Sequence, residues 1–159
     1  MKPNPTSTSR PADFKVQYEW QAGTVPPPFH DEYTIRLGPD PSGEIIYSPD
    51  YPNHNPPVWR ETFPFSEDDL THLFGLIVEK RVLTRQWLPA KRRRVGGSQE
   101  WLDLTAEGTR VSIPSELEEQ DAQAMRPVYD RIRALVPQDL WKSLEARRQT
   151  YQEGYVQRR

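Results

Sequence analysis

The chain predicts a two-layer α+β fold, an antiparallel meander-like sheet with one central helix and two C-terminal helices packed on it. Three observations carry this. Apolar residues alternate with polar ones in the first 65 residues: Phe14, Val16, Tyr18 and Trp20 with Lys15, Gln17, Glu19 and Gln21, then Tyr33, Ile35 and Leu37 with Thr34 and Arg36. Ser66, three acids and an apolar run at helical spacing follow. Strands come as a run before two closing helices, and this segregation favours an antiparallel sheet over a parallel one.

Each element has its own justification. Residues 13–21 make the cleanest period-two run, a strand with one wet face. A loop over 22–30 contains Pro26-Pro27-Pro28. Strands at 31–38 and 44–48 flank Pro39-Asp40-Pro41-Ser42-Gly43, which is turn chemistry. A second Pro-rich loop spans 49–57. Residues 58–65 read as a fourth strand with Trp59, Glu61, Phe63 and Phe65 on one side, and Pro64 marks an edge or an end. Ser66 is the N-cap of a helix over 66–80, with Asp69 completing a variant capping box and Phe65 and Leu70 a hydrophobic staple. Gly75 costs roughly 1 kcal/mol against Ala inside that helix, so it predicts a close crossing over the sheet.

Beyond the helix, 82–88 reads as a fifth strand and 89–97 as a basic loop. Residues 101–106 and 109–113 read as a hairpin around Glu107-Gly108. Ser115 reads as a cap. Met125, Val128, Tyr129, Ile132 and Leu135 form one helical stripe, with Pro127 expected in the first turn, where its missing N–H is harmless. Pro137 opens the last helix, with Leu140, Trp141, Leu144 and Tyr151 inward. The expected core is Trp20, Tyr33, Ile35, Leu37, Phe63, Leu73, Phe74, Ile77, Leu104, Val111, Ile132, Leu135 and Trp141.

Composition bounds the rest. A chain of 159 residues implies one domain, placed at 13–152 between a disordered tail at 1–12 and a basic tail at 153–159. Mean hydropathy is −0.87, so the core is modest, but five Trp, seven Tyr and five Phe each bury a large area. Seventeen prolines exceed the usual share of about 5%; they lie between the periodic segments and stiffen the loops. The absence of cysteine excludes disulfides, thiol catalysis and Cys-ligated metals and suits a reducing compartment. Residues 1–11 are no secretory signal and no apolar run approaches the roughly 20 residues of a membrane span. The expectation is a cytoplasmic protein without membrane contact.

Candidate chemistry is sparse. His72 lies off the apolar stripe of its helix and is expected in solvent. His30 and His54 sit in the two Pro-rich loops near Asp31, Glu32 and Asp50, without a metal-binding spacing, so no metal or cofactor is expected. No G-x-S-x-G or phosphate-binding glycine loop is present, so no catalytic residues are assigned and the chain is not read as an enzyme. Pro28, Phe29, His30, Tyr51, His54 and Trp59, in loops 22–30 and 49–59, combine stiff backbone with residue types enriched at binding hot spots. They are the candidate contacts of a non-catalytic protein-interaction or regulatory domain whose partner is another protein. The first alternative is nucleic-acid binding through 81–94, where Arg85, Trp87, Lys91, Arg92, Arg93 and Arg94 join Arg81 without an intervening acid. A net charge of −2 counts against it. The second is a small-molecule or hydrolytic site between sheet and C-terminal helices.

At Tyr33-Thr34-Ile35-Arg36-Leu37, Gly43-Glu44-Ile45 and Phe65-Ser66-Glu67-Asp68-Asp69-Leu70, the chain resembles uncharacterised bacterial α+β proteins. The strand–turn–strand and F-S-x-x-x-L-x-x-L pattern is also loosely similar to emfourin-type small protein inhibitors of metalloproteases. The resemblance covers about residues 31–113 and implies an inhibitor's role; it assigns no functional residue, and the helices after Pro114 lie outside it.

Pairing of consecutive strands adds a geometric expectation. Both Pro-rich loops should lie at one end of the sheet, with His30 and His54 near one surface. A strand at 82–88 should carry the basic loop to the other end, beside 39–43.

Overall fold

The computed structural model describes residues 9–92 and 96–158. They form six strands and three helices: β1 (Lys15–Gln21), β2 (Glu32–Leu37), β3 (Ser42–Ser48), β4 (Trp59–Pro64), α1 (Glu67–Glu79), β5 (Gln99–Ala106), β6 (Thr109–Ile113), α2 (Glu119–Leu135) and α3 (Gln138–Gln157). A single 3-10 turn, Pro52–His54, interrupts the second Pro-rich loop. The sheet order is β4-β3-β2-β1-β5-β6, antiparallel throughout. This is the α+β architecture read from the sequence. The first four strands form the meander, while β5 pairs with the free side of β1.

Alternation decides which face is covered. Phe14, Val16 and Tyr18 are buried on one side, with Ile35, Leu37, Ile45, Tyr47, Phe63, Leu102, Leu104 and Ile113 from the other strands. The helices pack there: Phe74 of α1 meets Phe14 edge-on at 5.0 Å, Tyr129 of α2 meets Tyr18 at 5.2 Å, and Trp141 of α3 meets Tyr33 at 5.1 Å. Nine of the thirteen expected core residues are buried; Trp20, Tyr33, Val111 and Trp141 are half-buried against that core. Trp is too large to be enclosed often, and Val111 lies on an edge strand.

The capping box forms as read. Asp69 N–H donates to Ser66 Oγ at 3.0 Å, and Ser66 N–H to Asp69 Oδ2 at 3.3 Å. Leu70, Leu73, Phe74 and Ile77 are the buried stripe of α1, and His72 is exposed. Gly75 corrects an expectation: it is exposed, and an added Cβ would meet nothing within 4 Å. The close approach is at Gly43, where a Cβ would sit 2.5 Å from the Phe63 ring.

The expected strand at 82–88 is a reversal instead. Arg81 adopts a left-handed φ of 56°. Its N–H donates to Val78 O at 3.0 Å, and Val82 N–H donates to Ile77 O at 3.0 Å. This is a Schellman termination with arginine where glycine is usual. Val82 and Ile77 are both fully buried, the apolar contact that accompanies the motif. The Trp87 indole N–H then donates to Val82 O at 2.9 Å, which folds 82–87 over the helix end.

Two further corrections concern α2. It starts at Glu119, so its N-cap is Glu118 and not Ser115. Pro127 consequently lies in mid-helix, on the exposed side. A mid-helix proline costs about 3 kcal/mol. Met125, Val128, Tyr129, Ile132 and Leu135 are all buried, and burial contributes roughly 1.5–3 kcal/mol for each large apolar side chain, so packing outweighs the proline. At the chain's ends, α3 continues through the expected tail to Gln157. Arg10 is tied to Glu67 and Thr71 of α1; residues 1–8 of the expected N-terminal tail lie outside the described residues. Among the described residues, no helix is long and apolar enough to cross a membrane.

Candidate functional site

The two Pro-rich loops meet at one end of the sheet, as consecutive pairing requires. Tyr51 fastens them: its hydroxyl donates to Val25 O at 2.6 Å and accepts from Val25 N–H at 3.2 Å. Its ring stacks on His30 with centroids 3.8 Å apart. Pro28 and His30 are therefore buried parts of the loop scaffold, not free contacts. Phe29 between them is 52% exposed, and its carbonyl accepts from Arg148 of α3 at 3.2 Å.

Below the loops lie buried acids whose roles the sequence did not disclose. Asp50 is fully buried. Its Oδ1 accepts from Tyr51 N–H at 2.7 Å and its Oδ2 from the Tyr151 hydroxyl of α3 at 2.7 Å. His54 Nδ1 lies 3.6 Å from Oδ2 while its ring remains partly exposed. Asp31 accepts from the Tyr47 hydroxyl at 2.5 Å and lies 3.6 Å from Arg148. Long-range pairs such as 50 with 151 leave no local signal in a sequence.

Trp59 completes this corner. It stacks on Tyr47 at 5.8 Å, and the Arg147 guanidinium stands 5.9 Å over its ring. Glu61, two residues along β4 on the same face, holds Arg147 at 2.9 Å. Beside this corner, two adjacent shallow concavities of about 500 and 620 Å³ lie between the loop at 54–59 and α3. Pro57 and Tyr151 border both; Trp59 and Ala146 line one, Tyr155 and Arg158 the other. No carboxylate is among the described residues lining either. Of the six expected contacts, this cleft unites His54 and Trp59; Tyr51 stacks between His30 and His54, and Pro28, Phe29 and His30 are not among its lining residues.

The basic segment is placed differently from expectation. β5 pairs antiparallel with β1, Gln99 opposite Gln21, so the chain enters β5 at the Pro-rich end and not beside 39–43. A Cβ on Gly23 would lie 2.7 Å from Gly97 O, so the two segments touch. The cause is the reversal at Arg81: with no strand at 82–88, the chain crosses to the far side of β1. Arg85 is already paired with Asp121 at 3.0 Å and stands 5.7 Å over Trp87, which is half-buried. Lys91 N–H donates to Glu118 at 3.0 Å, and Lys91 and Arg92 side chains are exposed. Arg93 and Arg94 lie outside the described residues.

A polar recess of about 580 Å³ lies between the sheet and α2, where a small-molecule site was the second alternative. Its inner charges, Glu100, Arg126 and Arg133, are mutually engaged. Glu100 accepts from Tyr18 at 2.5 Å and faces Arg133 at 3.6 Å and Arg126 at 3.9 Å. Burial, and then the bond to Glu100, raises the Tyr18 phenol, and burial raises Tyr47 and Tyr129 as well. These tyrosines stay protonated at neutral pH and serve as donors rather than bases. Among the described residues, no three His, Asp or Glu are grouped so as to hold a metal ion.

No protein-family model matches the chain, and no curated protein matches it.

Proposed function

We propose that this protein is a non-catalytic protein-interaction domain that binds a segment of its partner in the cleft between 54–59 and α3. The observation carrying this reading is the cleft itself: Pro57, Trp59, Tyr151 and Tyr155 with Arg147 and Arg158 on its walls, no carboxylate among the described lining residues, and a backbone pre-ordered by the Tyr51–Val25 and Asp50–Tyr151 bonds. A surface ordered before binding loses little conformational entropy when a partner docks. Trp and Tyr are residues on which binding energy concentrates. The resemblance to small protein inhibitors suits the same class of role. The described part of the basic segment favours nucleic acid less, because Arg85 is paired with an acid.

Peptides selected from a random display library on the immobilised protein should bind it in solution by calorimetry. Ala146 is exposed on α3 and lines the cleft, so Ala146→Arg fills it without touching the core. We expect at least tenfold weaker peptide binding, about 1.4 kcal/mol, with an unchanged unfolding midpoint. Selected peptides that bind Ala146→Arg as tightly as the parent would remove the cleft from consideration.

A further inference from the structure

A single ridge divides the two concavities of the cleft: Pro57 and Tyr151 border both. On α3 the lining runs from Ser143 to Tyr151 in one and from Tyr151 to Arg158 in the other. The midpoints of these stretches are a little over seven residues apart, roughly 11 Å along the helix at about 1.5 Å per residue. A ligand can reach the walls. Pro57, Ala146 and Thr150 are exposed, and Trp59, Tyr151 and Tyr155 are half-buried.

Rings and spacing select the conformation of the occupant. Proline and aromatic side chains form the walls, and aromatic-lined grooves are surfaces on which polyproline II segments dock. That conformation rises about 3.1 Å per residue, so prolines three or four residues apart are separated by about 9–12 Å. One then seats in each concavity, on either side of the Tyr151 ridge. A helix is about 10 Å across and suits a deeper groove than these shallow concavities. A partner strand finds no edge to extend, because β4 contributes only Trp59, its first residue, to the described lining. Polyproline II is also ordered before it binds, and the Asp50–Tyr151 bond holds the cleft ready for it, so little conformational entropy is lost on either side.

Charge selects the residue beside the prolines. Arg158 lines the concavity nearer the end of α3 and is exposed, its Nε donating to Gly154 O at 3.1 Å. The planar fork of a guanidinium matches a carboxylate. Arg147, in the other concavity, is held by Glu61 at 2.9 Å and stands over the Trp59 ring, so it serves as part of the wall. We infer, on the reading of the cleft as a peptide site, that its occupant is a polyproline II segment of a partner protein. Prolines three or four residues apart straddle Tyr151, and an acidic residue beyond them meets Arg158.

Three capped peptides test this: hexaproline flanked by glutamates at both ends, hexaproline flanked by lysines, and an alanine-rich helical peptide carrying the same glutamates. The readout is the indole N–H signal of Trp59 among the five tryptophans, assigned by its loss in Trp59→Phe. Glutamate-flanked hexaproline should move it saturably, leave Trp87 at the end of α1 unmoved, and bind more tightly than the other two. Arg158→Gln should weaken that peptide about two- to fivefold, the range of an exposed ion pair, and leave the lysine-flanked one no weaker. Ala146→Gln, which fills the cleft without adding charge, should weaken both proline peptides with an unchanged unfolding midpoint. Equal affinity for glutamate- and lysine-flanked hexaproline, tighter binding of the helical peptide, or no shift at Trp59 overturns the inference. Where display-selected peptides still bind and lose affinity in Ala146→Arg, the cleft survives that failure as a peptide site; where they are indifferent to Ala146→Arg, both readings fall.

Discussion

The bond between Asp50 and Tyr151 should be the strongest single tie between the Pro-rich loops and α3. Tyr151→Phe removes one hydroxyl and leaves the ring in place. An exposed ion pair contributes only about 0.2–1 kcal/mol, whereas a hydrogen bond to a charged group contributes about 1.5–3 kcal/mol. Burial decides which range applies, and Asp50 is 0% exposed. Without the Tyr151 hydroxyl, Oδ2 keeps only His54 at 3.6 Å, too long for a good hydrogen bond. We therefore expect Tyr151→Phe to cost about 1.5–3 kcal/mol. Asp50→Asn should cost a similar amount, since the uncharged amide weakens the bonds to both Tyr51 N–H and Tyr151.

Urea unfolding followed by tryptophan fluorescence measures both variants and the double variant. Residues that share a bond are not additive, and the double-mutant cycle should return a coupling of at least about 1 kcal/mol. Alkaline unfolding adds a second readout. Burial first, and then the bond to Asp50, pushes the Tyr151 phenol up to about 12. A folded value above the unfolded value of about 10 gives stability that is complete below pH about 10 and lost as pH rises through about 12. Other buried tyrosines are raised as well, so the relevant quantity is the difference between parent and Tyr151→Phe, which should shrink over that window. A cost under about 0.5 kcal/mol, or a coupling within the roughly 0.3 kcal/mol expected of independent sites, would refute the argument that burial makes this bond strong.

Three other expectations follow from the same structure. Gly43→Ala places a Cβ 2.5 Å from the Phe63 ring and should cost about 1–3 kcal/mol by overpacking; unchanged thermal unfolding would show that the ring moves aside freely. Pro127→Ala, at an exposed mid-helix position, should stabilise the protein by up to about 3 kcal/mol, and an unchanged urea midpoint would contradict this. Asp13 accepts from Gly108 and Glu107 N–H at 2.8 Å each, and these bonds hold its carboxyl below the usual carboxylate range. Its contribution is present above the unfolded value of about 3.9 and fades as pH falls through the lower folded value, so the amide signals of Glu107 and Gly108 should titrate below pH about 3.9 and lose that titration in Asp13→Asn.

What was legible in the sequence was what depends on neighbours in the chain. The alternation at Phe14–Trp20, the cap at Ser66 and the apolar stripe of α1 each express a local period or a local hydrogen bond, and each formed as read. The failures share a different cause. Residues 82–88 have strand-like composition, but Val82 is more strongly placed as the apolar closure of the α1 terminus, beside Ile77. Pro127 looked like a helix start, but the helix begins about two turns before it, at Glu119.

The candidate site shows the same division at longer range. His54 and Trp59 were found because they sit in one stiff loop. Tyr151, Tyr155 and Arg158 were not linked to that loop, because their proximity arises from α3 crossing the sheet beside β4. The placement of the basic segment illustrates how far one local error travels. Losing the strand at 82–88 changes the parity of the crossings, and parity alone decides at which end of an antiparallel sheet a connection emerges. With β5 entering opposite Gln21, Gly97 is brought against Gly23. The Pro-rich end and the described end of the basic loop, expected to be separate, thus meet.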